Sequence, residues 1–213
     1  MPHLTEDQQF LVTTFTVIDF EATTPAIEVA TLSLRPTTGP LAEIARFEAL
    51  IKPPAHAPVT DFDTRTTGIR AADVADQPPA QQVLAELDAA LAPHQPMVLV
   101  AHHAPTEAGL LHHYRDACPG LAGLPGVDTI AMAKLLLPYL GTYNLDHLLV
   151  ACKIPRPAHR HRAMPDVEAT AALFQTLLDR DTGGAHWPSL EALIKTTARQ
   201  PKTGEPDPQL GLF

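Results

Sequence analysis

FTVIDFEATTP, residues 15–25, decides how the chain is read. Its first half is apolar and β-branched, as a buried strand requires. It then presents two carboxylates one residue apart, Asp19 and Glu21. Residues i and i+2 of a strand face the same side, so both carboxyl groups belong to one site. Like charges at that spacing repel and raise each other's pKa unless a cation stands between them. Hard oxygen donors favour Mg²⁺ or Mn²⁺. Taken alone, the pair better fits a solvated strand end carrying two unrelated acids.

Working outward, residues 13–20, AIEVATLSL (26–34) and ARFEALIKP (45–53) alternate apolar and polar, and RPTTGP (35–40) is a turn by composition. Three strands joined by short connections predict an antiparallel meander. A Pro-rich crossover (53–79) leads to a helix over 83–91, with Leu84, Leu87 and Leu91 on one stripe. The run MVLVAHH (97–103) reads as a strand buried on both faces. Helices are predicted at 105–117, 129–137, 144–152, 166–180 and 188–199, with Pro165 opening the fourth of these. Strands followed by helices, with one late buried strand, give an α/β fold around a mixed central sheet flanked by helices.

The 213 residues are 45% hydrophobic, enough for one well-buried core despite 22 prolines. Cys118 and Cys152 are too few for a disulfide framework and suit core filling in a reducing compartment. The acidic start MPHLTEDQQF has no apolar stretch of the kind a signal peptide needs. No apolar run approaches the ~18 residues of a membrane span. A cytoplasmic protein with no membrane partner is expected. A net charge of −9 argues against a general nucleic-acid coat protein. It leaves room for an enzyme gripping only a strand end, because KIPRPAHRHR (153–162) carries Lys153, Arg156, Arg160 and Arg162 with no acid among them.

Three further segments bear on the opening pair. AHHAPTEAGLL (101–111) puts Glu107 early in a helix, YNLDHLLVACKIP (143–155) is an apolar-faced helix ending in a Pro-rich loop, and HRAMPDVEATAALF (161–174) places His161 five residues before Asp166. In order and spacing these resemble the DnaQ-like exonucleases of the DEDDh branch, over roughly residues 13–180. TTGI (66–69) and VDTIAMAKLLLP (127–138) fall where that family has a His-Gly-Ile turn and an Asp-Thr pair before a helix. The resemblance implies a three-layer ribonuclease-H-like fold over residues 1–182 and two-metal hydrolysis of phosphodiesters from the 3′ end. It implies that Asp19 bridges two Mg²⁺ or Mn²⁺ ions, that Glu21 and Asp166 complete the first shell, and that Glu107 serves the second ion. His161 becomes the general base, while Phe20, Ala22, Thr23, His103, Arg160 and Arg162 line the nucleic-acid side. The chain departs from the family at Glu107 (usually Asp), His103 (usually Asn), Thr106 (usually Phe) and Ala22-Thr23-Thr24 (usually Thr-Thr-Gly).

A helical extension (183–200) precedes a tail (201–213) without apolar period, which ends QLGLF. Gln209, Leu210, Leu212 and Phe213 look like the peptide by which bacterial proteins bind the sliding clamp of DNA polymerase III; the alternative is an apolar tail folded back on the domain. The expected activity is a 3′–5′ exonuclease on single-stranded or 3′-terminal DNA, of proofreading or repair type. An exoribonuclease of the same fold and a catalytically weak clamp-binding adaptor are the alternatives.

Overall fold

The computed structural model describes residues 4–22, 25–158 and 160–199. Helix α1 (Gln8–Val12) is capped by Asp7, whose carboxylate accepts the Gln9 N–H at 3.0 Å. Strands β1 (Thr14–Glu21), β2 (Glu28–Arg35) and β3 (Ala42–Leu50) then form the expected meander, both pairings antiparallel, with Glu28 lying opposite Glu21. Helices α2 (Asp61–Thr67), α3 (Ala71–Val74) and α4 (Ala80–Leu91) lead to β4 (Met97–Ala101), which pairs parallel to β1. Next come α5 (Ala104–His113), α6 (Pro119–Ala122) and β5 (Gly126–Asp128), the last parallel to β4. The chain closes with α7 (Thr129–Leu136), α8 (Leu145–Cys152), α9 (Ala163–Arg180), α10 (Leu190–Thr197) and the two-residue β6 (Ala198–Arg199), antiparallel to β5. The sheet order is β3-β2-β1-β4-β5-β6.

Strand alternation divides the core into two layers about the sheet. Phe15 and Val17 of β1, with Val98 and Val100 of β4, pack against Val167, Phe174 and Leu177 of α9. Ile18, Phe20, Met97 and Leu99 face the other way, onto Val83, Leu84 and Leu87 of α4. All five residues of β4 are buried, as its unbroken apolar run requires. Asp19 and Glu21 follow Phe15 and Val17 onto the α9 face. The alternation therefore aims two carboxylates at the helix that carries Asp166.

Several boundaries differ from the sequence reading, each for a local reason. β3 runs over 42–50 rather than 45–53, because Ile51 leaves the strand to bond the Ile27 carbonyl and Lys52 bridges to Pro79. The Pro-rich crossover holds α2 and α3. Their signal is capping, not apolar period: Thr60 and Asp63 form a reciprocal box, and Gly68 ends α2 at φ 76°. The strand over 97–103 stops at Ala101 because His103 turns to φ 76°. β5, three residues long, escaped a periodicity search altogether. Helix α9 begins at Ala163, three residues before the expected start, so Pro165 is its third residue.

The C-terminal segment belongs to the same core. Trp187 is fully buried among Phe174, Leu190 and Leu193. Its indole N–H donates to Thr196 Oγ1 at 2.9 Å. Buried Asp181 closes the turn after α9 by accepting the backbone N–H groups of His186 and Trp187 at 2.9 and 2.8 Å. Both cysteines are free and buried. No helix among the described residues is long and apolar enough to cross a membrane.

Replacing Trp187 with Ala removes the largest fully buried side chain of this layer. The expected cost is about 3–5 kcal/mol, read from urea unfolding as a lower midpoint in a single transition.

Candidate active site

The site lies where β1 ends and α9 begins. Ligand atoms of Asp19, Glu21 and Asp166 all fall within 4.8 Å of one another. Glu21 and Asp166 are buried, and Asp19 is partly so. Burial, reinforced by Glu107, Glu21 and Asp166, holds the Asp19 carboxyl well above the usual carboxylate range. Burial together with Asp166 and Glu28 pushes Glu21 up to about 8. The position of Asp166 is set from the sheet. Glu28, only 1% exposed, accepts the Ala163 N–H at 2.9 Å, and both of its carboxylate oxygens accept from Arg162 Nε at 3.0 Å. Arg162 occupies the N-cap position of α9 without capping it by its own side chain. A strand carboxylate thus caps this helix from 135 residues away in sequence.

The arginines are engaged by acids. Arg162 is matched to Glu28. Arg160 makes an ion pair with Asp166 and donates from Nε to Asp146 Oδ1 at 2.8 Å. Arg156 also reaches Asp146, at 2.8 Å. With Glu28 matched and Arg160 shared, Asp19 and Glu21 keep no cation of their own among the described residues.

Glu107 sits outside the three-carboxylate group. It is 7% exposed, and its side chain lines a small apolar cavity with Ile18, Leu99, Leu111 and Leu121. Burial pushes its carboxyl up to about 8, and its Oε2 finds no hydrogen-bond partner. His161 is exposed, at φ 63°, and its backbone N–H points to Asp166 Oδ2 at 3.4 Å. Phe20 is buried in the α4 layer, so any contact with a strand end falls to its backbone. Ala22, directly after Glu21, turns the chain at φ 52°. His103 is exposed; its N–H bonds Asp128 Oδ1 at 3.2 Å and its Nδ1 pairs with Thr106 Oγ1 at 2.7 Å. Thr23 lies outside the described residues, as do Gln209, Leu210, Leu212 and Phe213.

Two residues at the site went unassigned in the sequence. Glu28 sat within a cleanly alternating strand, where only its long-range partner reveals its role. His102 Nδ1 bonds Thr129 Oγ1 at 2.9 Å. Burial pushes its pKa down to about 4, so the ring is neutral at ordinary pH.

The donor set fits a divalent cation. It is all oxygen, the Oδ1 of Asp166 is buried without a hydrogen-bond partner, and the close carboxylates need positive charge to ionise together. Asp19, Glu21 and Asp166 are the residues that can hold it.

A mixed sheet of this order, with acids converging where its central strand ends, defines a ribonuclease-H-like α/β protein with an acidic centre. Residues 16–174 match the exonuclease family RNase_T, and the chain belongs to that family. Its relatives include the DNA polymerase III PolC-type proteins of Oceanobacillus iheyensis (30% identical over 181 residues) and Streptococcus suis (33% over 132 residues). Those alignments cover 82% and 62% of this chain but only 12% and 9% of the relatives. The nuclease domain of 3′hExo, a DEDDh family member solved with rAMP, superposes with a TM-score of 0.72 at 15% identity, covering 92% of this chain and 100% of that one. Exonuclease X in complex with 5′ overhanging duplex DNA gives 0.58 at 23% identity, over 85% and 98%. At such identities the likeness speaks to the fold.

The raised carboxyls imply a pH dependence of defined sign. Between about pH 4.5 and 8 the folded, metal-free protein keeps protons on Glu21 and Glu107 that the unfolded chain has released. Stability from these groups is therefore full below about 4.5 and lost as pH rises through about 8. A bound divalent ion favours the ionised forms. Scanning calorimetry of EDTA-treated protein should show Tm falling across that window, and the Tm gain on adding Mn²⁺ growing with pH. A gain independent of pH would mean that these carboxyls are not what the ion binds.

Proposed function

We propose that the chain is a metal-dependent 3′–5′ exonuclease acting on DNA ends, of the DEDDh type. The observation that carries this reading is the mutual approach of Asp19, Glu21 and Asp166 beside an exposed histidine five residues upstream of the last of them. Bound Mg²⁺ or Mn²⁺, two ions in this reading, supplies charge stabilisation and an acidified water. The chain's own groups do the rest. Asp19, Glu21 and Asp166 hold the cationic centre on rigid elements, with Glu107 a further carboxylate whose charge acts on Asp19. His161 accepts the proton of the attacking water at a ring nitrogen; its exposure lets it meet solvent and substrate. Ala22 and His103, with the backbone at Phe20, border the place where a terminal nucleotide lies, and Arg160 borders its phosphate side. The PolC-type names of the relatives favour DNA and a replication setting.

The position of Glu107, outside the three-carboxylate group, favours one other reading: a catalytically weak protein that serves as an adaptor. End-labelled DNA and RNA oligomers, incubated with Mg²⁺ or Mn²⁺, separate these. DNA shortened from its 3′ end by the parent but not by Asp19→Ala is the expected result. Shortening of RNA alone assigns the protein to RNA trimming, and the absence of any metal-dependent cleavage leaves the adaptor. His161→Gln should lower kcat by about 10²–10⁴ while leaving Mn²⁺ affinity near that of the parent.

The tail ending Gln209, Leu210, Leu212 and Phe213 is read as a docking peptide for the bacterial sliding clamp. Each apolar anchor contributes about 1.5–3 kcal/mol on burial, offset by ordering of the segment, for an affinity around micromolar. Calorimetric titration of purified clamp with the full chain, and with one ending at residue 208, tests this. Equal affinities would end the clamp reading and leave the nuclease reading untouched.

A further inference from the structure

Arg160 faces two ways. Its side chain is 13% exposed, and its guanidinium stands between Asp166 of the carboxylate group and Asp146 in the first turn of α8. Its charge reaches Asp19 and Glu21 as well, where it opposes the upward push of burial and of the neighbouring acids. Asp146 is a different kind of partner. Its side chain is 37% exposed, it already holds Arg156, and it belongs to no group of converging metal donors among the described residues.

A guanidinium on Asp166 and a divalent ion held by Asp19, Glu21 and Asp166 are like charges competing for the same oxygens. Both cannot be held at full strength in a poorly hydrated pocket. We propose that Arg160 is a built-in competitor for the metal: it neutralises the carboxylate group in the metal-free protein and passes to Asp146 when a divalent ion binds. The inference rests on reading Asp19, Glu21 and Asp166 as the metal site. It assigns Asp146, which no catalytic argument uses, the task of receiving the displaced charge.

The exchange also bears on His161. Two anchored arginines bracket that residue: Arg162 is clamped to buried Glu28, and Arg160 is tied to Asp166. Releasing Arg160 frees one flank of the histidine while the other stays fixed. Metal arrival and release of the base are thereby linked through one side chain.

The test is Mn²⁺ titration of the full chain, with free ion followed by electron paramagnetic resonance, so that binding is read without turnover. Arg160→Gln removes the competitor, and Mn²⁺ should bind about tenfold more tightly. Asp146→Asn removes the alternative partner, and binding should weaken by a similar factor. The double variant should match Arg160→Gln, because without the arginine Asp146 has nothing to receive; a double variant as weak as Asp146→Asn would reduce that residue to long-range charge and overturn the proposal. Metal-free Arg160→Gln should also melt below the parent, having lost its counter-ion. If Arg160→Gln does not fold, Asp146→Asn alone decides, and affinity within about twofold of the parent overturns the proposal. A parent protein that takes up no Mn²⁺ overturns the metal-site reading itself, a result distinct from a parent that binds and variants that do not differ.

Discussion

A single buried carboxylate ties the functional end of this molecule together. Glu28 emerges from β2 at 1% exposure and receives Arg162 and the first N–H of α9. Unpaired, a carboxylate that deep would be costly; paired as it is, it fixes where α9 starts. That start places Asp166 one turn inside the helix, facing the strand that carries Asp19 and Glu21. Charge-assisted, two-pronged pairing of an arginine with a carboxylate is among the more specific polar contacts. Here its specificity is spent on the register between a helix and a sheet whose contact residues lie more than a hundred positions apart.

The same region carries an imbalance of charge that the fold tolerates only locally. Glu28 is neutralised by Arg162, and Asp146 draws both Arg156 and Arg160. Asp19 and Glu21 have no such partner, and the upward displacement of both carboxyls reports the result. Elsewhere the surface acids of the protein are ordinary: Glu43 with Arg46 and Asp73 with Arg70 are exposed pairs across three residues, which hold their carboxyls low. Such pairs contribute little to stability. The contrast separates acids that decorate a surface from acids gathered where they repel.

What was legible in the sequence follows the range of the interaction. The β1 alternation alone put Asp19 and Glu21 on one face, and the apolar run of β4 predicted its burial on both sides. Both are local patterns with a period. The His161 to Asp166 spacing was also local, and it marked the entry to α9. Glu28 was invisible because its meaning depends on Arg162, and nothing within β2 distinguishes it from a solvent-facing glutamate in a half-buried strand. The early start of α9 was missed for the same reason, since its cap comes from another strand. β5 is too short for any period to show, and α2 and α3 are recorded in caps rather than in apolar spacing. At Glu107 a helical position is legible but a rotamer is not, and the side chain lines the apolar cavity together with Leu111 and Leu121.

Backbone conformation divides the labour at the site. Four non-glycine residues among those described have positive φ, and three of them border the acids: Ala22 after Glu21, His103 after β4, and His161 before α9. Such conformations cost roughly 1–3 kcal/mol each and persist only where surrounding structure enforces them. They occur where regular elements stop, so each acid stays on a strand or helix while the chain turns sharply beside it. The acids need fixed spacing, because a shared cation tolerates little displacement of its donors. The role proposed for His161, a proton acceptor, needs the opposite, a side chain that reaches solvent and can change partners. Putting Asp19 and Asp166 on rigid elements and His161 on an exposed bend meets both demands within a few residues, and the strained turns are the structural cost of bringing them so close.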